Sequence, residues 1–370
     1  MLVIATPNPD SIAETFIRQH IRLLEPGKTA VIYFEGEGSS IKDLPSFKVD
    51  RHEAGSKLQS IKSLLLYGYT GALIGEQKRS AISFLKDNQV SCVLAEFGQT
   101  ACALMSTCQQ AGTPLYVFFH GHDASAAGRK FVNRYSYWRM GRYASKVFVA
   151  THYFADKVTK VGIPGKKIFV APYGLEVEEF TPAEVRDYNL VLAVGRMVEK
   201  KAPHLTIQAF SKVLKEVPNA RLEMVGEGPL LELAKETARN YGLESSVIFH
   251  GSKTHEFVKE KVSSAAIFVQ HSLTAPNGDT ESLGVSLLEA MSCEVPIVTT
   301  RHNGFVETVE DGVTGYLVEE RDIDKMAKYI IEILNDRGLR NEMGKAGRER
   351  VKKNYESNQQ AKLLKKLLNI

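Results

Sequence analysis

Two glutamates, Glu281 and Glu289, stand out in the stretch GDTESLGVSLLEAMSCEVPIVTT from Gly278 to Thr300. The first falls in a glycine-containing loop and the second on the helix expected to follow it, with a proline-started apolar strand directly after. If Ser282, Leu283 and Gly284 open that helix, their N–H groups have no carbonyl to bond and the positive end of the helix dipole faces out of the loop, which suits an anion. Glu281 then stands beside the anion and Glu289 lies further along. A carboxylate accepts hydrogen bonds from vicinal hydroxyls, so the pair could hold a sugar and a ribose at opposite ends of one diphosphate. Spacing alone is not distinctive, because Glu176 with Glu184 and Glu236 with Glu244 share it without a glycine loop or a following buried strand.

Cations suited to a diphosphate occur in GRMVEKKA. Arg196 ends an apolar strand and Lys201 follows it, the guanidinium offering a bidentate fork and the ammonium a point charge. His120 closes another apolar run, FFHGHD, where it could reach a substrate hydroxyl, supply its carbonyl to a reaction centre or serve as a hydrogen-bonded structural histidine; Asp123 beside it could cap the next helix. Competing chemistries lack their signatures. GEGSSI and GEGPLL both miss the third glycine of a dinucleotide fingerprint, and no Walker A sequence occurs. The one D-x-D, Asp322 with Asp324, precedes the periodic segment MAKYIIEIL and reads as an N-cap, so no metal site and no cofactor are expected.

The elements that must position these residues are short apolar runs alternating with helical patterns. LVIAT, TAVIYFE, CVLAEF, LYVFFHG, KVFVAT and KIFVAPYG form one series; LVLAVGR, RLEMVGEG, SVIFHG, AIFVQHS, PIVTTR and TGYLVE form a second. Alternation of this kind predicts parallel sheets covered on both faces, hence two doubly wound α/β domains. Their boundaries are placed at 1–175, a charged linker at 176–189, and 190–355. Ligands of such sheets bind beyond the carboxyl ends of the strands, so two domains facing each other are expected to share a cleft. The leucines at 363, 364, 367 and 368 predict an amphipathic C-terminal helix.

At 370 residues the chain has room for two cores. Its net charge of +4 is too small to argue for a nucleic-acid partner. The four cysteines show no metal or C-x-x-C spacing and read as reduced core residues, and the start MLVIATPNPDSIAET reads as a first strand rather than a signal peptide. Together with the lack of any apolar stretch of spanning length, these point to a cytoplasmic protein. The segment 128–146 holds six Lys or Arg, five aromatics and no acid. It is either an ordinary amphipathic helix or, over 129–146, a face for an anionic membrane surface.

Taken together, the 278–300 block, VGRMVEKKA from Val194, VGEGP from Val225, the His120-Gly121 pair and NGFVETVEDGVTGYLV from Asn303 resemble, in order, the family 4 retaining glycosyltransferases of GT-B architecture. PNPDSIAETFIRQHIRLL resembles the first loop and helix of exopolysaccharide and colanic-acid-type members, although Ser11 with Glu14 also makes a capping box. The resemblance implies two Rossmann-like domains facing a cleft, with the last helix, 356–370, crossing back to an acceptor-side first domain. It also implies transfer of a sugar from a UDP-, GDP- or ADP-sugar to a saccharide or lipid-linked acceptor in bacterial exopolysaccharide, capsule or lipopolysaccharide assembly. Glu281 would position the donor sugar, Glu289 the ribose, and Arg196 with Lys201 the diphosphate, Lys201 being favoured over Lys200 by the family spacing. His120 would touch the donor sugar, the loop at Ser252 and Lys253 would receive the base through its backbone, and Glu14 and Thr15 would contact acceptor or donor. The chain departs from the family in having Ala202 where glycine is usual. A nucleotide-sugar 2-epimerase of the same fold and a non-catalytic binding subunit remain as alternatives.

Overall fold

The computed structural model describes residues 1–11, 14–50, 69, 72–121, 123, 125 and 131–370. Seven parallel strands form the first sheet: β1 (Leu2–Thr6), β2 (Thr29–Tyr33), β3 (Ser46–Lys48), β4 (Cys92–Glu96), β5 (Leu115–Phe119), β6 (Lys146–Val149) and β7 (Ile168–Val170), in the order β3-β2-β1-β4-β5-β6-β7. The second has six parallel strands: β8 (Asp187–Val194), β9 (Arg221–Val225), β10 (Val247–Gly251), β11 (Ala265–Gln270), β12 (Ile297–Thr300) and β13 (Gly315–Val318), in the order β10-β9-β8-β11-β12-β13. Strands β1, β2, β4, β5 and β11 are buried along their whole length, because helices cover both faces, and this is why they appear in the sequence as unbroken apolar runs. Edge strand β3 was not anticipated. Its sequence SFK is short and largely exposed, so no apolar run marks it.

Strand order reverses between β1 and β4 in the first sheet and between β8 and β11 in the second. Ligands of open parallel sheets favour the carboxyl ends of strands at such a point. Arg196, two residues past β8, and Gln270, the last residue of β11, flank the switch of the second sheet.

Two compact units result: Met1–Gly174 with Asn358–Ile370, and Leu175–Ser357. Each has its own apolar core, the first around Val93, Val117 and Phe119, the second around Val191, Ile267 and Val298. The region expected to be a linker is partly ordered structure, since β8 begins at Asp187 and residues Val177–Glu179 form a 3-10 turn. The last helix, Ser357–Leu368, buries Leu364 and Leu368 but leaves Leu363 exposed, and the Lys146 ammonium at the start of β6 donates to the Leu367 carbonyl. Asp322 caps the helix Ile323–Asn335, accepting the Lys325 N–H at 2.9 Å, as the D-x-D reading expects.

Candidate functional site

In the second unit the chain leaves β8 through Gly195, passes Arg196 and makes a 3-10 turn at Glu199–Lys201 before the helix Pro203–Glu216. Close packing explains the glycine of VGEGP nearest the strand. A Cβ on Gly226 would lie 2.0 Å from the Gly195 carbonyl oxygen, so only glycine lets the β9 loop run against the β8 loop. Ala202 adopts φ +36, a left-handed conformation costing roughly 1–2 kcal/mol for a residue with a Cβ. That backbone angle gives a physical reason for glycine at this position in the resembling family. Pro203 follows at the first helical position, where its missing N–H costs nothing.

The turn presents both lysines. Lys201 Nζ donates to Gln270 Oε1 at 3.0 Å and lies 3.6 Å from Glu281 Oε1. Lys200 Nζ is 3.3 Å from Asp279 Oδ2, 3.3 Å from the Thr280 carbonyl and 3.7 Å from Glu281 Oε1. The two lysines therefore differ in what they touch. Lys201 lines a cavity with Gly195, Arg196, Thr206, Met224 and Gln270, whereas Lys200 ties down the loop that carries Glu281. Burial pushes the Glu281 carboxyl up, but the charges of Lys201 and Lys200 lead those that outweigh it and hold the group below the usual carboxylate range. Burial likewise pulls the Lys201 ammonium below its ordinary value, with Glu281 opposing and Lys200 and Arg196 reinforcing the fall. Arg196 is exposed.

The helix after Glu281 runs Val285–Ser292, so Ser282, Leu283 and Gly284 precede its first turn rather than form it. Gly284 is the N-cap at φ +78, and a Cβ there would meet the Phe305 ring at 2.7 Å. The N–H groups of Ser282 to Ser286 find no acceptor among the described residues, a helix start of the kind that suits an anion. At the other end of this helix, Arg348 donates to the Ser292 carbonyl and Arg186 to those of Cys293 and Glu294. Two guanidiniums thus satisfy and neutralise the negative terminus, which fixes the helix whose opposite end faces the loop.

Glu289 is a buried residue of the same helix, and no donor among the described residues reaches its carboxylate. Burial raises it to about 7, with Lys201 pulling the other way. An acid so placed is ready to accept from hydroxyls brought by a ligand. Ser252 and Lys253 are exposed just past β10, where the Ser252 N–H donates to Glu227 Oε1 at 3.1 Å and the Lys253 ammonium lies over the Phe257 ring.

The first unit holds a second polar group. His120 is buried with both ring nitrogens engaged, Nε2 with Glu96 Oε2 at 2.8 Å and Nδ1 with the Tyr173 hydroxyl at 2.6 Å. Glu96 Oε1 meets His20 Nδ1 at 2.6 Å, and although burial would raise this carboxyl, the two histidines bring it to about 2. Since an ionised Glu96 only accepts, His120 Nε2 carries the proton. The expected reach of the His120 ring to a substrate hydroxyl is therefore not available in this arrangement. Asp123 is likewise buried, accepting the His120 N–H at Oδ2 and the Tyr137 hydroxyl at Oδ1. Glu14 sits at the N-cap of the helix Thr15–Leu23, rather than at its third residue as a capping box begun at Ser11 would have it. Phe16, next to Thr15, stacks on Tyr173 and lies tilted against His120, each with centroids 4.6 Å away.

Gln270, His302, Asn303, Glu320, Glu96 and Tyr173 were not singled out from sequence. A polar residue ending a buried apolar run, as in AIFVQ and CVLAE, is the signal that could have found Gln270 and Glu96.

Residues 176–350 match the model of the glycosyl transferases group 1 family, and the chain thus carries a glycosyl transferases group 1 domain. It is similar to the amylovoran biosynthesis glycosyltransferase AmsK of Erwinia amylovora, 30% identical over 220 residues that make up 58% of this chain and 54% of the other. It is also similar to the GDP-mannose-dependent alpha-(1-6)-phosphatidylinositol monomannoside mannosyltransferase of Mycolicibacterium smegmatis, at 29% over 262 residues and 68% of each chain. The match spans about half the length of several curated relatives. HepE of Anabaena in complex with UDP and glucose superposes with a TM-score of 0.80 at 16% identity, covering 100% of this chain and 99% of that one. Sucrose-phosphate synthase of Thermosynechococcus elongatus does so at 0.79 and 18% identity, covering 100% and 98%. The fold is GT-B, two Rossmann-like parallel-sheet domains.

Proposed function

We propose that the protein is a retaining, metal-independent glycosyltransferase that moves a sugar from a nucleoside-diphosphate sugar to a hydroxyl acceptor in polysaccharide assembly. The observation that carries this reading is Lys201, held between Gln270 at 3.0 Å and Glu281 at 3.6 Å, beside a helix start whose N–H groups find no acceptor among the described residues. Lys201, Arg196 and that helix start bind the diphosphate, Glu281 orients the donor sugar, and Glu289 takes the ribose hydroxyls. The base lies at Ser252 and Lys253. In the reaction the bond from the anomeric carbon to the phosphate oxygen breaks as the acceptor oxygen bonds the same carbon on the same face, and the departing phosphate oxygen takes the acceptor proton. Cationic residues and a helix terminus stabilise the charge that develops on that oxygen, the task a divalent ion performs elsewhere. The acceptor is assigned to the first unit.

Incubation with a panel of UDP-, GDP- and ADP-sugars in excess chelator tests this. Donor turnover is expected at a rate within about twofold of that with added Mg²⁺. Turnover that vanishes in chelator and returns with Mg²⁺ or Mn²⁺ overturns metal independence. Formation of an epimeric nucleotide sugar without an acceptor points to the epimerase, and binding without turnover to the non-catalytic subunit.

For a lipid-linked acceptor, peripheral attachment to the inner face of the cytoplasmic membrane fits the surface of the helix Phe131–Tyr143. Tyr135 and Trp138 are 45% and 41% exposed and stack at 6.0 Å, the Arg142 guanidinium lies 4.5 Å over Trp138, and Arg134 is exposed on the same helix as Arg139. Arg129 and Lys130 lie outside the described residues. No helix among the described residues is long and apolar enough to cross a membrane. Binding to anionic vesicles is expected to weaken sharply as salt shortens the Debye length from about 30 Å at 0.01 M to about 8 Å at 0.15 M, while neutral vesicles bind weakly. Equal binding to both kinds of vesicle, or to neither, removes the membrane from the proposal.

A further inference from the structure

The loop that carries Glu281 is fixed from the carboxyl ends of three adjacent strands. It leaves β11 and is met first by Glu320, two residues past β13, whose Oε2 accepts the Thr274 N–H at 3.1 Å. At its far end the Glu281 N–H points to His302 Nε2 at 3.1 Å, and His302, two residues past β12, in turn places Nδ1 2.6 Å from Glu320 Oε1. Asn303 adds a third hold, its side-chain amide lying 3.3 Å from the Glu281 carbonyl and 2.7 Å from His302 Nε2. Asn303 adopts φ +51, a left-handed conformation that asparagine tolerates better than most residues.

The proton positions follow from the partners. A peptide N–H can only donate, so His302 Nε2 must present its lone pair to Glu281, and the ring proton must lie on Nδ1. Glu320 accepts that proton and so selects the tautomer. The His302 side chain has no solvent exposure, whereas that of Glu320 is 34% exposed, so the carboxylate can be changed with less risk to packing.

We propose that Glu320 and His302 act as positioning residues that set the tautomer and geometry needed to hold the backbone of Glu281 in its reactive place. Neither touches substrate; they act through the Glu281 peptide, and the proposal rests on the reading that Glu281 orients the donor sugar. Loss of the pair lets the loop relax, and a displacement of a fraction of an ångström at an orienting carboxylate is enough to slow a reaction. The nucleoside diphosphate, held by Lys201 and the helix start, should scarcely notice.

The test uses the full chain with Glu320→Ala and His302→Gln, measuring kcat, donor KM and calorimetric UDP or GDP binding. Nucleotide affinity is expected to stay within about threefold of the parent while kcat falls roughly tenfold or more, the split expected of an interaction needed in the reacting complex. Thermal melting checks that each variant is folded. If His302→Gln unfolds, Glu320→Ala still decides the kinetic question. Nitrogen-15 NMR of labelled histidine in the parent protein should show His302 with Nδ1 protonated and Nε2 bare. A proton on Nε2, or an unchanged kcat in folded Glu320→Ala, which leaves the Nδ1–H without its acceptor, overturns the proposal. If Glu281→Gln itself retains full activity while the His302 tautomer is as described, the reading of Glu281 fails and the hydrogen-bonded clamp stands as structure alone.

Discussion

Glu281→Gln is expected to lower sugar transfer by roughly a hundredfold or more while leaving nucleoside-diphosphate affinity within about threefold of the parent. The geometry gives the expectation a direction as well as a size. Glu281 lies 3.6 Å from Lys201 and 3.7 Å from Lys200, with its side chain only 13% exposed, so it offsets part of the positive charge that faces the diphosphate. Removing that negative charge frees Lys201 for the phosphate, and any change in affinity should be toward tighter binding. The orientation of the donor sugar has no such compensation. Glutamine is preferred to alanine because truncating one partner of a largely buried ion pair typically costs about 3–5 kcal/mol of stability, which would confuse a rate with a folding defect. Calorimetry with UDP or GDP and initial rates on the same preparation measure both quantities. A variant that loses nucleotide affinity in step with its rate would make the loop a support for the phosphate site instead.

The two sheets were legible because a strand buried on both faces is mostly apolar, with polar residues confined to its end, so β4, β5, β11 and β12 announce themselves as CVLAE, LYVFF, AAIFVQ and IVTT. Edge strand β3 has no such constraint and was missed. In the site, Glu281, Glu289, Arg196 and Lys201 stood out because their residue types are unusual beside glycine loops and strand ends. What holds them did not. His302 meets Glu281 across 21 positions and Glu320 meets His302 across 18, separations set by β12 and β13 lying side by side, and no local pattern encodes a contact of that kind. Position in the sheet also decided His120. At the end of an apolar run it could face a ligand or the interior, and Glu96 and Tyr173, 24 and 53 positions away, engage both of its nitrogens.

Glu289→Gln is expected to stabilise the free protein at pH 8 and at the same time weaken its grip on a nucleoside diphosphate. In the folded chain burial raises the Glu289 carboxyl to about 7, against 4.5 for an exposed glutamate. The folded state then binds this proton more tightly than the unfolded state does. Its contribution to stability is therefore fully present below about pH 4.5 and is lost as pH rises through about 7. At about 1.4 kcal/mol per pKa unit the loss amounts to roughly 3 kcal/mol once both states are ionised. Glutamine, of the same shape and uncharged, removes the slope, so the variant should melt above the parent at pH 8 and close to it near pH 5. Binding changes in the opposite sense. A ribose needs the ionised carboxylate as acceptor, so in the parent nucleotide affinity should rise between pH 6 and pH 8 with release of a proton, read by calorimetry in buffers of different ionisation enthalpy. Glu289→Gln should lose that pH dependence together with one charge-assisted pair, about 1.5–3 kcal/mol or roughly ten- to a hundredfold in affinity. A variant that gains no stability at pH 8 would show that Glu289 is ionised at little cost in the free protein. One that binds nucleotide as the parent does, with the same proton release, would remove Glu289 from the ribose site.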